Sequence, residues 1–399
     1  MLECSRTSKY APLVCSVSPS QNSDFEGFER GPMSDNEKQR TCRNPVYVLA
    51  AGGTGGHFFP ALSLAKIIKN TGKTVYLCTD ERAEKWSKIG VFDKVFVAAL
   101  KNKSGSFTFF CSLLLAGLKY LFLFIKERPR VVIGFGGYPS APPVFAAQLL
   151  GIPTVIHESN ATLGKANAVL AKMASCVATG VPEVAGLPED KSMFVGNPVR
   201  EEINELYNVP YIPPALQEPF HILVIGGSQG AAVFSNIIPA AVKTLSKEEQ
   251  RRLKIRQQTR EELLDETDGN FRETLVNVQL APFFSDMREA LAWAHLVISR
   301  GGATSIAEAL ISGKPLIIVP LENTTSGDQV ANAVLFAKKG CCLTTFGQNK
   351  PAEYIGNAIK QFMRDTAQLA KMSDAGRRLA STGAGLLLLE KIEALTKNT

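Results

Sequence analysis

The stretch VYVLAAGGTGGHFFPALSLA, residues 46–65, decides the fold. An apolar, partly β-branched strand runs into two pairs of glycines and then into a segment with helical spacing, where Pro60 suits a first helical turn. Glycine permits positive φ and removes the Cβ that would hold a ligand off the main chain. The helix that follows offers unpaired N–H groups and a partial positive charge, so the turn suits phosphate. The design recurs in Gly136-Gly137-Tyr138-Pro139-Ser140, in Gly226-Gly227-Ser228-Gln229-Gly230 and in Arg300-Gly301-Gly302-Ala303. One such turn could be tight packing alone. Four at corresponding strand-to-helix junctions point to a ligand.

Outward from these turns, short apolar runs alternate with helical patterns: TVYLC, RVVIGF and PTVIH, then FHILVIGG, LVIS and PLIIVP. Such alternation predicts βαβ units and parallel sheets covered by helices. Between the two sets lies NPVREEINELYNVPYIPPALQEP, residues 197–219, broken by five prolines. The expected architecture is therefore α/β, two Rossmann-like doubly wound domains facing across a cleft at the carboxyl ends of their strands. The expected boundaries are 44–198 and 199–380, preceded by a polar extension over 1–43 that reads as disordered and followed by a C-terminal segment, 381–399, with a helix over 385–397.

The chain has 399 residues, 45% hydrophobic and 20% charged, enough for two cores. Its net charge of +7 is too small for an indiscriminate nucleic-acid binder, and no nucleic-acid partner is expected. Residues 1–43 and 199–399 are each neutral, so the whole excess falls within 44–198. Eight cysteines without zinc-type spacing read as reduced thiols of a cytosolic protein, with no metal site expected. The N-terminus lacks the pattern of a secretory signal.

Phe107–Ile125, FTFFCSLLLAGLKYLFLFI, is long enough to span a bilayer. Between strands TVYLC and RVVIGF a span would put parts of one sheet on opposite sides of the membrane, and Lys119 sits near its centre. A buried core helix is one alternative. The preferred reading is a helix that covers the sheet with one face and turns Phe110, Leu114 and Leu118 to lipid, flanked by Lys101, Lys103, Lys126, Arg128 and Arg130.

Among single residues, His57 closes the first glycine loop and can accept a proton near neutral pH, or else it bonds to its own loop. His157 ends a strand and equally suits a core histidine. Glu308, on the first turns of a helix, can accept two sugar hydroxyls or simply complement the helix dipole. Arg200 can meet a diphosphate or form a surface ion pair between domains. Asp80 ends the second strand where a dinucleotide site would want an acid, but the final glycine of that fingerprint is missing, and Asp80 reads as a solvated cap before a helix at 82–88.

Taken together, GGTGGHFFPALSLA, GFGGYPSAPP, HESN with Asn167 beyond it, GNPVR, VIGGSQGA and RGGATSIAEAL followed by GDQVANA resemble the MurG family of bacterial N-acetylglucosaminyltransferases, over about residues 45–340. The resemblance implies a GT-B fold and transfer of GlcNAc from UDP-GlcNAc to the muramoyl 4-hydroxyl of lipid I, with inversion, forming lipid II for peptidoglycan. It makes 44–198 the acceptor and membrane-associating domain, 199–380 the UDP-GlcNAc-binding domain, and 381–399 a helix crossing back to the first. It assigns Ser228 and Gln229 with Arg200 to the diphosphate, Glu308 to the ribose, Phe284 and Met287 to the uracil, and Ala303, Thr304 and Ser305 to the nucleotide. Gln329 takes the GlcNAc hydroxyls, joined by Thr54 and Asn160; Gly55 and Gly56 complete the first loop, and His57 is the candidate base. The partners implied are UDP-GlcNAc, lipid I and the cytoplasmic face of the inner membrane, to which the protein would attach peripherally. No cofactor is expected, and no DxD motif is present to bring a divalent metal. Asp328 departs from the family, which carries His or Gln before that glutamine. A UDP-GlcNAc 2-epimerase, a transferase with a soluble acceptor, a tandem-Rossmann oxidoreductase and a non-catalytic nucleotide-sugar sensor are the competing readings.

Overall fold

The computed structural model describes residues 44–83, 89–100, 106–187, 189–227, 232–322 and 327–397. The extension 1–43, Lys101 and Lys103 of the basic flank, and Ser228 and Gln229 of the third glycine turn lie outside the described residues. Seven strands form one parallel sheet: β1 (Val46–Ala50), β2 (Thr74–Asp80), β3 (Lys94–Ala98), β4 (Val131–Gly134), β5 (Thr154–Glu158), β6 (Cys176–Thr179) and β7 (Ser192–Phe194), in the order β3-β2-β1-β4-β5-β6-β7. Six more form a second: β8 (Phe220–Ile225), β9 (Leu253–Gln258), β10 (Asn277–Ala281), β11 (Leu296–Ser299), β12 (Leu316–Ile318) and β13 (Cys342–Thr344), in the order β10-β9-β8-β11-β12-β13.

Both sheets reverse direction between their first and fourth strands, the point at which doubly wound sheets bind ligands. The four glycine turns follow β1, β4, β8 and β11, the strands on either side of that point in each sheet. Helices α1 (Gly55–Asn70), α2 (Ser106–Glu127), α3 (Ala141–Leu149) and α4 (Lys165–Leu170) accompany the first sheet, and α5 (Glu201–Asn204) lies in the connector. With the second sheet go α6 (Phe234–Lys243), α7 (Lys247–Arg252), α8 (Leu264–Phe271), α9 (Met287–Trp293), α10 (Ala303–Ile311), α11 (Asp328–Lys338), α12 (Pro351–Arg364) and α13 (Thr366–Leu379). Helix α14 (Ala384–Thr396) ends the described chain.

Strand alternation splits each core in two. Tyr47 and Leu49 pack with Leu64 and Ile68 of α1 and with Leu388 and Ile392 of α14. Val48 and Ala50 face the other way, onto Tyr120 and Phe124 of α2 and Val144 of α3. Helix α14 thus completes the core of the first sheet. Arg130, expected in the lipid-facing flank, instead donates from Nε to Thr396 Oγ1 at 3.1 Å and from Nη2 to its carbonyl at 3.0 Å, tying down the end of α14.

Helix α2 buries only the stripe Ala116, Tyr120 and Phe124, while Phe110 (63% exposed), Leu114, Leu115, Leu118, Phe122 and Ile125 stand outward with Lys119, Lys126 and Arg128. Because β3 and β4, which flank it in sequence, belong to one sheet, α2 lies along that sheet, although it is long and apolar enough to cross a membrane.

Two expectations fail locally. Helix α1 starts at Gly55, so Pro60 falls in its second turn, where the ring leaves the Gly56 carbonyl without its helical N–H partner; the Thr304 hydroxyl, on α10, donates to that carbonyl at 3.4 Å. Asp80 is no solvated cap. It is 3% exposed and binds Arg82 through Nε at 2.8 Å and Nη2 at 2.6 Å, and only a single turn, Glu81–Ala83, follows it among the described residues.

A buried amide helps to join the two sheets. Asn332 of α11 is fully buried; its Oδ1 accepts from the Ala161 N–H at 2.8 Å, and its Nδ2 donates to Asn160 Oδ1 at 3.0 Å and to the Gly301 carbonyl at 2.8 Å. Replacing Asn332 by Ala strands buried main-chain groups on both sides, so we expect a loss of about 2–4 kcal/mol in chemical denaturation. Unchanged stability would show that the clasp is not holding the two halves together.

Candidate functional site

A cavity of about 560 Å³ opens between the carboxyl edges of the two sheets. Of the expected site residues, Thr54, Gly55, Gly56, Arg200, Phe284, Met287, Thr304, Ser305, Glu308 and Gln329 line it. Gly226, Gly227 and Gly302 bring two of the glycine turns to its wall.

On the second-sheet side, Gly227 takes φ +79°, a conformation open to glycine, and the Gly226 N–H donates to Gln258 Oε1 at 3.1 Å. The turn after β11 is shaped by close approach: a Cβ on Gly301 would lie 2.5 Å from the Gln329 carbonyl oxygen. That contact seats Gln329 in the cavity, where its Oε1 also accepts the Leu321 N–H at 3.0 Å. Ala303 is buried in the core and does not line the cavity; its neighbours Thr304 and Ser305 do.

Arg200 and Glu308 meet directly. Nε and Nη2 of Arg200 donate to Glu308 Oε1 at 3.1 and 2.9 Å, with side-chain exposures of 23% and 7%. This is the ion-pair alternative for Arg200, but placed inside the cavity and not at the surface. Burial pushes the Glu308 carboxyl up, and the Arg200 guanidinium opposes it. Both bonds fall on one carboxylate oxygen, so a bound nucleotide can divide the pair, with hydroxyls taking the carboxylate and phosphate the guanidinium. The Arg200 guanidinium also lies 5.9 Å from the Phe59 ring centroid.

On the first-sheet side His57 is half-buried behind the cavity wall, its Nδ1 2.9 Å from Thr54 Oγ1. The loop bond expected as the alternative for His57 is therefore present, and it also orients the ring. The imidazole rests on Gly136 and Gly137, at φ +89° and +76°, where a Cβ would come within 3.2 Å of it. Desolvation holds the ring below the ordinary histidine range; Glu158, Asp328 and Asp80 pull the other way, and Arg82 adds to the lowering. A ring kept neutral is a ring able to take a proton.

Asn160 does not reach the cavity. Its N–H and Nδ2 both donate to Glu158 Oε1 at 3.0 Å, and its Oδ1 accepts from Asn332. The buried Glu158 carboxylate also takes Gly164 N–H at 3.0 Å and Asn167 Nδ2 at 2.8 Å, so HESN builds a scaffold under the cleft. His157 is a core histidine, fully buried, with Nε2 3.1 Å from the Gly196 carbonyl. The described residues contain no cluster of His, Cys, Asp or Glu suited to a metal ion.

Phe59, Gln258, Arg260, Phe283, Arg300 and Leu321 also line the cavity. Gln258 and Arg260 escaped notice because β9, LKIRQQ, is too polar to read as a strand, and the carboxyl end of an unread strand signals nothing.

Two doubly wound sheets that enclose a cavity between their carboxyl edges define a GT-B fold. Residues 47–179 match the glycosyltransferase family 28 N-terminal domain and residues 221–384 its C-terminal domain. The chain is 37% identical over 364 residues to a protein of Sinorhizobium medicae, covering 89% of this chain and 96% of that one. It is 38% identical over 360 residues to one of Brucella abortus, covering 88% and 94%. Both are named UDP-N-acetylglucosamine–N-acetylmuramyl-(pentapeptide) pyrophosphoryl-undecaprenol N-acetylglucosamine transferase. The crystal structure of Acinetobacter baumannii MurG superposes with a TM-score of 0.71 at 26% identity, over 88% of this chain and 99% of that one. The chain belongs to glycosyltransferase family 28, among the MurG transferases. A UDP-N-acetylglucosamine 2-epimerase structure, at 15% identity and a TM-score of 0.62, shares the fold alone.

Glu308→Ala is expected to weaken UDP-GlcNAc binding about tenfold or more in a titration, since a charge-assisted acceptor is lost. Unchanged affinity would remove Glu308 from the donor site. If His57 must be neutral to act, turnover is retained above its lowered pKa and lost as pH falls through it. The acid limb of kcat should therefore lie below pH 6.5, and a limb above that value would contradict the assignment.

Proposed function

We propose that this protein moves GlcNAc from UDP-GlcNAc to the muramoyl 4-hydroxyl of lipid I, forming lipid II with inversion at the anomeric carbon. The observation that supports it most is the opposition of two unlike walls: a nucleotide cavity on the second sheet and, across the same cleft, a histidine cradled by two glycine turns. The donor lies with uracil at Phe284 and Met287, ribose at Glu308, and diphosphate at the Gly226–Gly227 turn and Arg200. Ser228 and Gln229 would join it there, with Gln329 and Thr54 at the sugar.

In the reaction the acceptor oxygen attacks the anomeric carbon while the bond to UDP breaks and its electron pair leaves with the diphosphate. The hydroxyl proton passes to His57. With Nδ1–H donating to Thr54 Oγ1, the neutral ring carries its lone pair on Nε2, and we assign Nε2 as the base. Negative charge developing on UDP meets the Arg200 guanidinium once the bound nucleotide has drawn it from Glu308.

The lipid acceptor sets where this happens. We infer that the protein rests peripherally on the cytoplasmic face of the inner membrane through the outward face of α2, with Phe110, Leu114 and Leu118 entering the lipid boundary and Lys126 and Arg128 meeting anionic headgroups.

Labelled UDP-GlcNAc and a lipid I analogue should yield labelled lipid II, and His57→Ala should lower kcat by about 10²–10⁴ with donor KM little changed. No transfer by the native chain would defeat the proposal; an equal loss in donor binding would defeat the role of His57. Binding to anionic vesicles should fall with added salt and on replacing Leu114 and Leu118 by Ser. Indifference to both would place the membrane contact elsewhere.

A further inference from the structure

Arg82 is held at the mouth of the first glycine turn by an arrangement that the donor site does not use. Asp80, at the carboxyl end of β2, accepts the Arg82 main-chain N–H at 3.1 Å through Oδ1, and Nε and Nη2 at 2.8 and 2.6 Å through Oδ2. The aspartate side chain is 5% exposed and the arginine 44%, so the carboxylate is an internal brace and the outer edge of the guanidinium faces solvent. The brace requires Gly53: a Cβ there would lie 2.2 Å from Asp80 Oδ1 and 2.5 Å from Arg82 Cβ. The guanidinium carbon sits 5.0 Å from the Tyr138 ring centroid, on the second glycine turn, and Tyr138 meets Phe109 edge-on at 5.5 Å. Phe109 belongs to the first turns of α2, the exposed apolar helix.

The guanidinium therefore sits beside the two turns that cradle His57, with Tyr138 linking it to the start of the helix we assign to the membrane. Resting on the reading of a lipid-linked acceptor, this order fixes what must lie there. The acceptor sugar hydroxyl is at His57, its polyprenyl chain is in lipid beside α2, and the group joining sugar to chain is a diphosphate. We propose that Arg82 binds the diphosphate of the polyprenyl-linked acceptor. Guanidinium has five donors in a planar fork, and two nitrogens turned to Asp80 leave Nη1 and the outer N–H of Nη2 for phosphate oxygens. Asp80 and Tyr138 are positioning residues: they set the plane of the fork before the acceptor arrives.

The test uses the full chain with UDP saturating, so that the donor pocket is closed to competitors, and titrates geranylgeranyl diphosphate and geranylgeraniol directly. The native protein should bind the diphosphate and not the alcohol. Arg82→Ala should weaken that binding and raise the KM for a lipid I analogue by about tenfold to a hundredfold. The KM for UDP-GlcNAc should stay within about twofold even though Arg82→Ala, which strands the buried Asp80 carboxylate, lowers the thermal midpoint, and Arg82→Lys should recover only part of the loss because a point charge cannot reproduce the fork. The proposal is overturned if the native chain fails to bind the diphosphate, if Arg82→Ala leaves acceptor KM unchanged, or if donor and acceptor KM rise together. If the native chain binds the diphosphate through Arg82 yet transfers no GlcNAc, the catalytic reading falls and the diphosphate site stands.

Discussion

The Asn332 side chain is the constraint on which the site depends. Most of each sheet's core is its own, Ala161 and Val181 being buried with second-sheet residues, and nothing in the strand order of one dictates where the other must sit. A buried amide with both ends satisfied fixes the register of that contact, because its carbonyl accepts from Ala161 on one side while its amino group donates to Gly301 on the other. An amide whose three bonds are all made in a dry interface is costly to break, since each partner would be left without water. The same residue holds the Gly301 turn against α11, so the relation between the halves and the seat of Gln329 are set together.

From that constraint the division of labour follows. The second sheet contributes most of the cavity wall, including Phe284, Met287, Ser305 and Glu308, while the first contributes the edge Thr54–Gly56 and keeps His57 just behind it. Glycine does two separate jobs here. After β8 it lets the chain take a positive φ, +79° at Gly227, at the cavity wall; after β4 it removes side chains so that an imidazole can lie flat on the backbone. Sequence similarity among the turns conceals this difference in use.

The two doubly wound sheets, the glycine turns and the apolar helix were legible because strand periodicity, glycine pairs and a long apolar run are local signals. The polar strand β9, the short strands β7 and β13, and the connector residues Ile203 and Leu206, which bury in the core beside the second sheet, were not. Their character is set by long-range packing. Residue types at the site were legible, but partnerships were not. Arg200 and Glu308 are 108 positions apart and meet only because the connector folds onto α10. Asn160 looks like a ligand residue in HESN and is tied to Glu158 and Asn332 outside the cavity, and Asp80 looks like a cap and is a brace. Long-range partners decided each case, and these are a property of the whole fold.

The central claim is that the nucleotide belongs to the second sheet and the acceptor to the first, with His57 between them. A crystal structure with UDP-GlcNAc bound tests it most directly. The account predicts uracil between Phe284 and Met287, the ribose on Glu308 with Arg200 drawn to the diphosphate, and the anomeric carbon turned toward His57. A nucleotide seated instead on the Gly52–His57 turn of the first sheet, with the Arg200–Glu308 pair intact, would contradict it.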